Sequence, residues 1–140
     1  MHTYESLEVG QSFTAEHHIS FDDVRTFAEI SGDDNPLHVD EEYASGTRFG
    51  KPIVHGVFLM GIVSKVLGRD FPGHGSIAVA ISCRFLRPVP VDSTITVEVK
   101  IAEKIEKRRH IRAKVYVYLD GKMSVGGEAT LIPPPAEDGD

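Results

Sequence analysis

Three polar side chains, those of Asp33, Asn35 and His38, fall within six residues of one another. A carboxylate and an imidazole held side by side can place one water molecule between them, so that one group accepts a proton from the water while the other supplies a proton. Histidine suits either part because its pKa lies near neutrality. Asp, Asn, Gly and Pro also cluster in turns for backbone reasons alone, so a purely structural turn is the alternative interpretation.

A second candidate group stands where the most apolar segment of the chain begins. The sequence Lys-Pro-Ile-Val leads into His55 and Gly56, and the apolar segment follows at once. A glycine at a helix start leaves backbone N–H groups without intrahelical partners, and together with the helix dipole these donors can stabilise a developing enolate oxygen. We therefore favour a functional role for Gly56, with close packing as the alternative. For His55 we favour a structural role.

Ser64 is a hydroxyl residue inside this apolar segment, eight positions beyond Gly56. On a helix that spacing brings it within about a quarter-turn of the same face. Its side chain can bond a member of the Asp33–His38 pair. The alternative is a bond back to the carbonyl of Met60, which is the commoner fate of a serine within a helix.

The elements that must position these residues alternate at first between strands and helices. Residues 13–19 predict an opening strand, and Ser20 with Asp23 forms a capping-box pattern for a helix that ends near Gly32. Proline after Asn35 predicts an extended conformation for that residue. Another short helix is expected to begin at Asp40.

The second half of the chain predicts one enclosed helix followed by strands. Residues 56–67 are apolar on nearly every side, as in a helix surrounded by other structure. Asp120-Gly121 is a strong hairpin turn. A curved antiparallel sheet wrapped around the helix, an α+β layout, accounts for this pattern. Strands are expected at residues 77–85, 95–101, 111–119 and 123–132.

Composition limits the class of protein. The chain has 140 residues, enough for one domain, and its 15 basic and 21 acidic residues give a net charge of −6, which argues against nucleic-acid binding. Its single cysteine, Cys83, rules out an internal disulfide and a thiolate metal cluster, and we expect no metal site. Neither a signal peptide nor a bilayer-spanning segment is expected, so the predicted location is cytoplasmic. Residues 133–140 predict a flexible, proline-rich acidic tail outside a domain at 1–132.

The string from Ser31 to His38 resembles the hydratase signature of the MaoC-like family, the (R)-specific enoyl-CoA hydratases. Residues 52–56 and 85–89 also match the family pattern in the expected order. The resemblance covers residues 5–132. It implies a single hot-dog domain, in which an antiparallel sheet wraps a long helix, usually assembled as a homodimer or a higher homo-oligomer.

The resemblance also implies an activity and a set of site residues. The activity is reversible hydration of trans-2-enoyl-CoA to (R)-3-hydroxyacyl-CoA, a hydro-lyase reaction without a cofactor, since coenzyme A is part of the substrate. Asp33 and His38 match the pair that holds the catalytic water, and Asn35 matches a residue that orients the site. Gly56 matches the oxyanion donor, and Ser64 matches a serine often found beside the pair.

In such a fold the acyl tail is expected to run beside the enclosed helix, past four large side chains. A short to medium chain of roughly four to eight carbons is expected, because each added CH₂ gains only about 0.8 kcal/mol and a clash costs more. The four side chains are those of Phe58, Leu59, Val63 and Leu67.

Other functions remain open at this point. A hot-dog thioesterase would direct water to the carbonyl carbon of the same substrates, and a non-catalytic module would only bind acyl-CoA. A dehydratase acting on acyl-carrier-protein thioesters would keep the chemistry and change the carrier. Arg84, Arg87 and the basic run at 104–109 are candidate contacts for coenzyme A phosphates, although a solvated hairpin tip is the preferred account of that run.

Overall fold

A five-stranded antiparallel sheet with strand order β1-β3-β4-β5-β2 forms the frame of the molecule. The structure is a computed structural model and describes residues 2–135. The predicted α+β layout is confirmed, although β3 is six residues longer than expected. The strands are β1 Ser12–Ile19, β2 Ile77–Phe85, β3 Ser93–Ile105, β4 His110–Leu119 and β5 Lys122–Ile132; the helices are α1 Phe21–Ser31, α2 Pro36–Val39, α3 Glu41–Ser45 and α4 Gly56–Lys65, with a π-helical turn at Val66–Asp70.

Helix α1 begins and ends where its sequence predicts. The Ser20 hydroxyl accepts a hydrogen bond from the Asp23 N–H at 3.0 Å, and the Asp23 carboxylate accepts one from the Ser20 N–H at 2.9 Å. At the other end Gly32 has a φ of 82° and donates its N–H to the carbonyl of Ala28. This left-handed residue ends the helix and turns the chain, so that Asp33 follows directly.

Helix α4 forms within the predicted residues 56–67, but it is not enclosed on every side, because Val57, Gly61 and Ser64 are exposed. It contacts β2 and β4, and its side chains of Leu59, Ile62 and Val63 are buried. The strands supply the other half of this core by alternation, because every second residue faces inward. Each fully buried aliphatic side chain contributes about 1.5–3 kcal/mol, so this face holds α4 in place. The inward residues of β3 and β4 are Ile95, Val97, Val99, Ile101, Ile111, Ala113, Val115 and Val117.

Strand β2 lies at one edge of the sheet and is close to β5. A Cβ atom added at Gly127 would lie 2.0 Å from the carbonyl oxygen of Ser82, so only glycine permits this approach. Of the predicted tail, Pro133 and Pro134 are buried, and Pro134 packs against Gly75. The domain therefore extends at least two residues beyond the predicted boundary at 132, and residues 136–140 lie outside the described residues.

Within residues 2–135, none of the helices has the length and apolar character that crossing a bilayer requires.

Candidate active site

The turn between α1 and α2 fixes the backbone of Asp33. The Ser31 hydroxyl donates to the carbonyl of Phe27 at 2.7 Å and accepts from the Asp33 N–H at 3.1 Å. Gly32 supplies the left-handed conformation between them. The Asp33 side chain is exposed and lines a cavity at this end of the molecule. The carboxylate is thus accessible to a ligand while its main chain is held on both sides.

Asn35 is the N-cap of α2, the four-residue helix that carries His38. Its side-chain oxygen accepts from the Leu37 N–H at 3.0 Å, and Pro36 takes the first helical position, where a missing N–H costs nothing. The predicted extended backbone of Asn35 is confirmed by its ψ of 124°. The structure therefore places Asn35 as a cap that orients the helix beneath His38.

The bonding of His38 fixes its tautomer. The ring atom Nδ1 lies 2.7 Å from the carbonyl oxygen of Ile53. A carbonyl oxygen can only accept a hydrogen bond, so Nδ1 carries the proton and donates. In the neutral ring, Nε2 then holds a lone pair. His38 lines the same cavity as Asp33, so it offers a base there when neutral and an acid when protonated.

His55 belongs to this cluster, although the sequence favoured only a structural role for it. Its side chain is 1% exposed, and Nε2 donates to the carbonyl oxygen of Asp33 at 3.0 Å. Its ring stacks on that of His38 with a centroid distance of 4.0 Å, and Phe27 packs on it at 4.8 Å. Burial lowers the pKa of His55 below its ordinary value, and the neighbouring His38 lowers it further, against the opposing effect of the Asp33 carbonyl. The ring is therefore neutral at pH 7.

The carboxylate of Asp33 and ring nitrogens of His38 and His55 lie within 4.8 Å of one another. A carboxylate and two imidazoles can bind a transition metal, but here the two rings are stacked with an interplanar angle of only 26°. Lone pairs that lie in two nearly parallel planes do not converge on one ion. The arrangement suits proton transfer through Asp33 and His38 better than metal coordination.

The cavity beside this cluster has a volume of about 480 Å³, within the range of small-molecule sites. Gly56, the first residue of α4, is part of its wall. The side chain of His55, the N-cap of α4, makes no capping bond to this helix end. The N–H groups of Gly56 and Val57 are therefore available to a ligand oxygen, whereas the Phe58 N–H donates to the His55 carbonyl at 3.0 Å. Close packing also favours the glycine, because an added Cβ would lie 2.9 Å from the ring of Phe85, which would have to shift.

The remaining predicted residues are not all part of this cavity. Leu59 lines it. Val63 and Leu67 are buried in the core, and Phe58 stacks on Phe27 with a centroid distance of 4.8 Å. Ser64 is exposed and is absent from the cavity wall formed by the described residues.

The basic residues fall in three places. Arg87 lines the cavity, where it is joined by Arg48, a residue that sequence reasoning missed. Arg84 lines a separate groove. The basic run at 104–109 covers the end of β3 and the β3–β4 turn, where Arg109 pairs with Glu5. Arg48 had no periodic or motif signal, since it lies in the irregular segment before α4.

Comparisons with known proteins agree with this geometry. The family model of the MaoC like domain matches residues 5–123. A 3-hydroxybutyryl-CoA dehydratase from Methylorubrum extorquens is 37% identical over 137 residues, covering 98% of this chain and 87% of the relative. An (R)-specific enoyl-CoA hydratase from Rhodospirillum rubrum is 36% identical over 134 residues, covering 96% and 93%. The solved structure of an unliganded R-hydratase from Pseudomonas aeruginosa superposes with a TM-score of 0.91 at 36% identity, covering 96% of this chain and 86% of that one.

The cap at Asn35 yields a stability prediction. Replacing Asn35 with Ala should lower the free energy of unfolding by about 1 kcal/mol, because the Leu37 N–H loses its acceptor. Hydrogen exchange of the Leu37 amide should accelerate. The matched control is Asn35→Asp, which keeps an acceptor at the same position. Chemical denaturation and amide exchange measure both effects, and an alanine variant as stable and as protected as the wild type would contradict the capping role.

Proposed function

This chain belongs to the MaoC-like domain family, and from that premise we propose that it is an (R)-specific enoyl-CoA hydratase. The reaction is the reversible addition of water to a trans-2-enoyl-CoA, giving (R)-3-hydroxyacyl-CoA. One observation carries the proposal: the Asp33 carboxylate and the imidazole of His38, with its proton held on Nδ1, share a cavity with the N-terminus of α4. The two curated relatives described above, a 3-hydroxybutyryl-CoA dehydratase and an (R)-specific enoyl-CoA hydratase, support it.

The proposed mechanism uses each part of this geometry. A water molecule lies between the Asp33 carboxylate and Nε2 of His38. Its oxygen forms a bond to C3 of the enoyl group while the pair takes one of its protons, and the π electrons move to the thioester oxygen. The free N–H groups at the start of α4, where Gly56 is the first residue, stabilise this enolate. Its collapse then takes a proton from the pair at C2, so the two side chains end in their initial, coupled protonation state.

This chemistry needs no redox cofactor, because the addition of water transfers no net electrons. We propose that the substrate is a coenzyme A thioester and that Arg48 and Arg87, both in the cavity wall, interact with its phosphates. The guanidinium of Arg48 lies 4.8 Å from the centroid of the Phe49 ring, a contact that favours a defined side-chain position. Arg87 donates to the carbonyl of Met123 at 2.9 Å. A cytoplasmic location, predicted from composition, belongs to the same proposal.

A thioesterase of the same fold is the nearest alternative. It would release free coenzyme A, whereas a hydratase removes the conjugated enoyl-thioester absorption and leaves the thioester intact. An open helix N-terminus stabilises the oxyanion of either reaction. The relatives named as a 3-hydroxybutyryl-CoA dehydratase and an (R)-specific enoyl-CoA hydratase favour the hydratase. A non-catalytic acyl-CoA-binding module would leave both signals unchanged.

Substitution of the catalytic pair tests the proposed function. Asp33→Asn and His38→Gln should each lower kcat by about a hundredfold or more, because general acid–base catalysis contributes about that much. The matched control is Asp34→Asn, which removes the adjacent carboxylate, one that does not line this cavity. Loss of enoyl-thioester absorption, with free thiol measured in parallel, gives the rates. Near wild-type turnover in either pair variant, on every enoyl-CoA tested, would refute the mechanism.

We further propose that two copies of the chain associate through β2. This edge strand has an unpaired side, and apolar side chains on it and beside it are between 52% and 58% exposed. Three of these side chains also line the active-site cavity, so a second copy seated there would close the cavity on that side. The exposed side chains are Val57, Ile77, Val79, Phe85 and Leu86.

Sedimentation tests the assembly. The wild-type protein should sediment as a dimer at micromolar concentration, whereas Val79→Lys should be largely monomeric, because a buried lysine without a partner opposes association. Ile30→Lys is the matched control, since Ile30 is 83% exposed on α1 and away from the β2 edge. An active wild-type monomer would contradict this arrangement.

The acyl-chain preference rests on Leu59, the one of the four predicted contacts that lines the cavity. Leu59→Ala should shift the optimum of kcat/KM toward longer chains by roughly two carbons, because it removes side-chain volume from the wall. Leu67→Ala is the control: Leu67 is 1% exposed within the core, so its loss should cost about 2–5 kcal/mol of stability without changing the profile. A wild-type optimum at about twelve carbons or more would overturn the short-chain preference.

A further inference from the structure

We propose that His55 is a positioning residue for the hydration reaction. It fixes the Asp33 backbone through one hydrogen bond and the His38 ring through one stacking contact. This inference rests on the proposed function and deepens it. Its basis is that this side chain, at the start of α4, contacts both the α1–α2 turn, which lies 22 residues earlier in the chain, and helix α2.

The hydrogen bond of His55 acts on the main chain of Asp33. Nε2–H donates to the Asp33 carbonyl at 3.0 Å across 22 residues of sequence. The N–H of the same residue is already held by the Ser31 hydroxyl. Both backbone polar groups of Asp33 are thereby fixed, which limits where its exposed carboxylate can lie.

The stacking contact acts on His38. The two rings lie with centroids 4.0 Å apart, and Phe27 packs on His55 with a centroid distance of 4.8 Å. The Ile53 carbonyl holds only one nitrogen of His38, so the His55 ring supplies the second constraint and restricts rotation of the imidazole about that bond. The titratable groups that act on His55 are Asp33 and His38.

One atom of His55 indicates that its role is more than packing. Nδ1 is buried and has no hydrogen-bond partner among the described residues. An orphaned buried nitrogen is unfavourable, and an apolar ring of similar size would avoid it. A purely structural site gains nothing from the imidazole except its Nε2–H donor. That donor bonds the residue that bears the proposed catalytic carboxylate.

Two substitutions separate the bond from the stack. His55→Phe keeps a ring against His38 and removes the donor, whereas His55→Gln keeps an N–H donor and removes the ring. Each should lower kcat by about tenfold or more, since misplacement of reacting groups is costly, and change KM by less than about threefold. The midpoints of the pH profile of kcat should also move. His17 is a half-buried histidine on β1 outside the cavity, and His17→Gln should leave kcat, KM and the pH midpoints unchanged.

The ¹⁵N signals of His38 provide a readout that does not require turnover. In the wild type they should report a proton on Nδ1, and in both His55 variants a mixture of tautomers or exchange broadening. If either folded variant keeps the kcat, the pH profile and the His38 signals of the wild type, the inference is overturned. The test therefore needs only one variant that folds. If the wild type hydrates no enoyl-CoA, the proposed function fails, while the His38 signals still decide whether His55 positions the pair.

Discussion

The hydrogen bond from Nδ1 of His38 to the Ile53 carbonyl is the constraint on which the rest of the site depends. It assigns the proton to one ring nitrogen and leaves the other for the reaction. The residue that bears this carbonyl is itself held by the segment between β2 and β3: Ile53 forms an isolated bridge with Pro90, and the Val54 N–H donates to the Val89 carbonyl at 2.8 Å. A tautomer in a four-residue surface helix is therefore set by the segment that leads into β3.

The same segment positions α4. Residues 52–54 bond to the chain at 89–91, and α4 begins two residues later. Because the apolar side chains of the helix are buried against the sheet, its axis cannot shift without loss of core contacts. Its N-terminus consequently opens on Asp33 and His38 in a fixed direction. Packing in the interior in this way fixes the direction of the helix N–H groups that we propose as the oxyanion site.

The sequence predicts the features that are local and leaves the long-range ones open. The capping box at Ser20, the left-handed Gly32 and the Asp33–His38 spacing depend on neighbouring residues, and these elements form as expected. Helix α2 was missed although its signals were present, since Asn35 followed by proline is a good cap and first position for a helix. A four-residue helix lacks the apolar periodicity by which helices are otherwise recognised.

Predictions that depended on which side of a helix meets the cavity were less complete. Along α4, helical spacing shows that Leu59 and Val63 lie near one face, but only the position of the sheet decides that Leu59 meets the cavity and Val63 the core. The contact of His55 with Asp33 could not be predicted for a similar reason. The hydrogen bond spans 22 residues of sequence, and the residues around position 55 give no signal of it.

Strand β2 contributes both to the cavity wall and to the exposed edge of the sheet. It carries Phe85, and the chain just after it carries Leu86 and Arg87, so one wall of the cavity is built from a sheet edge. An edge strand such as β2 has a neighbouring strand on one side only, so it can leave space beside α4 for a ligand. The cost is a row of exposed apolar side chains and unpaired backbone groups. A cavity placed at a sheet edge therefore also leaves an exposed apolar surface, and β2, which forms part of the cavity wall, is the strand through which we propose that two copies associate.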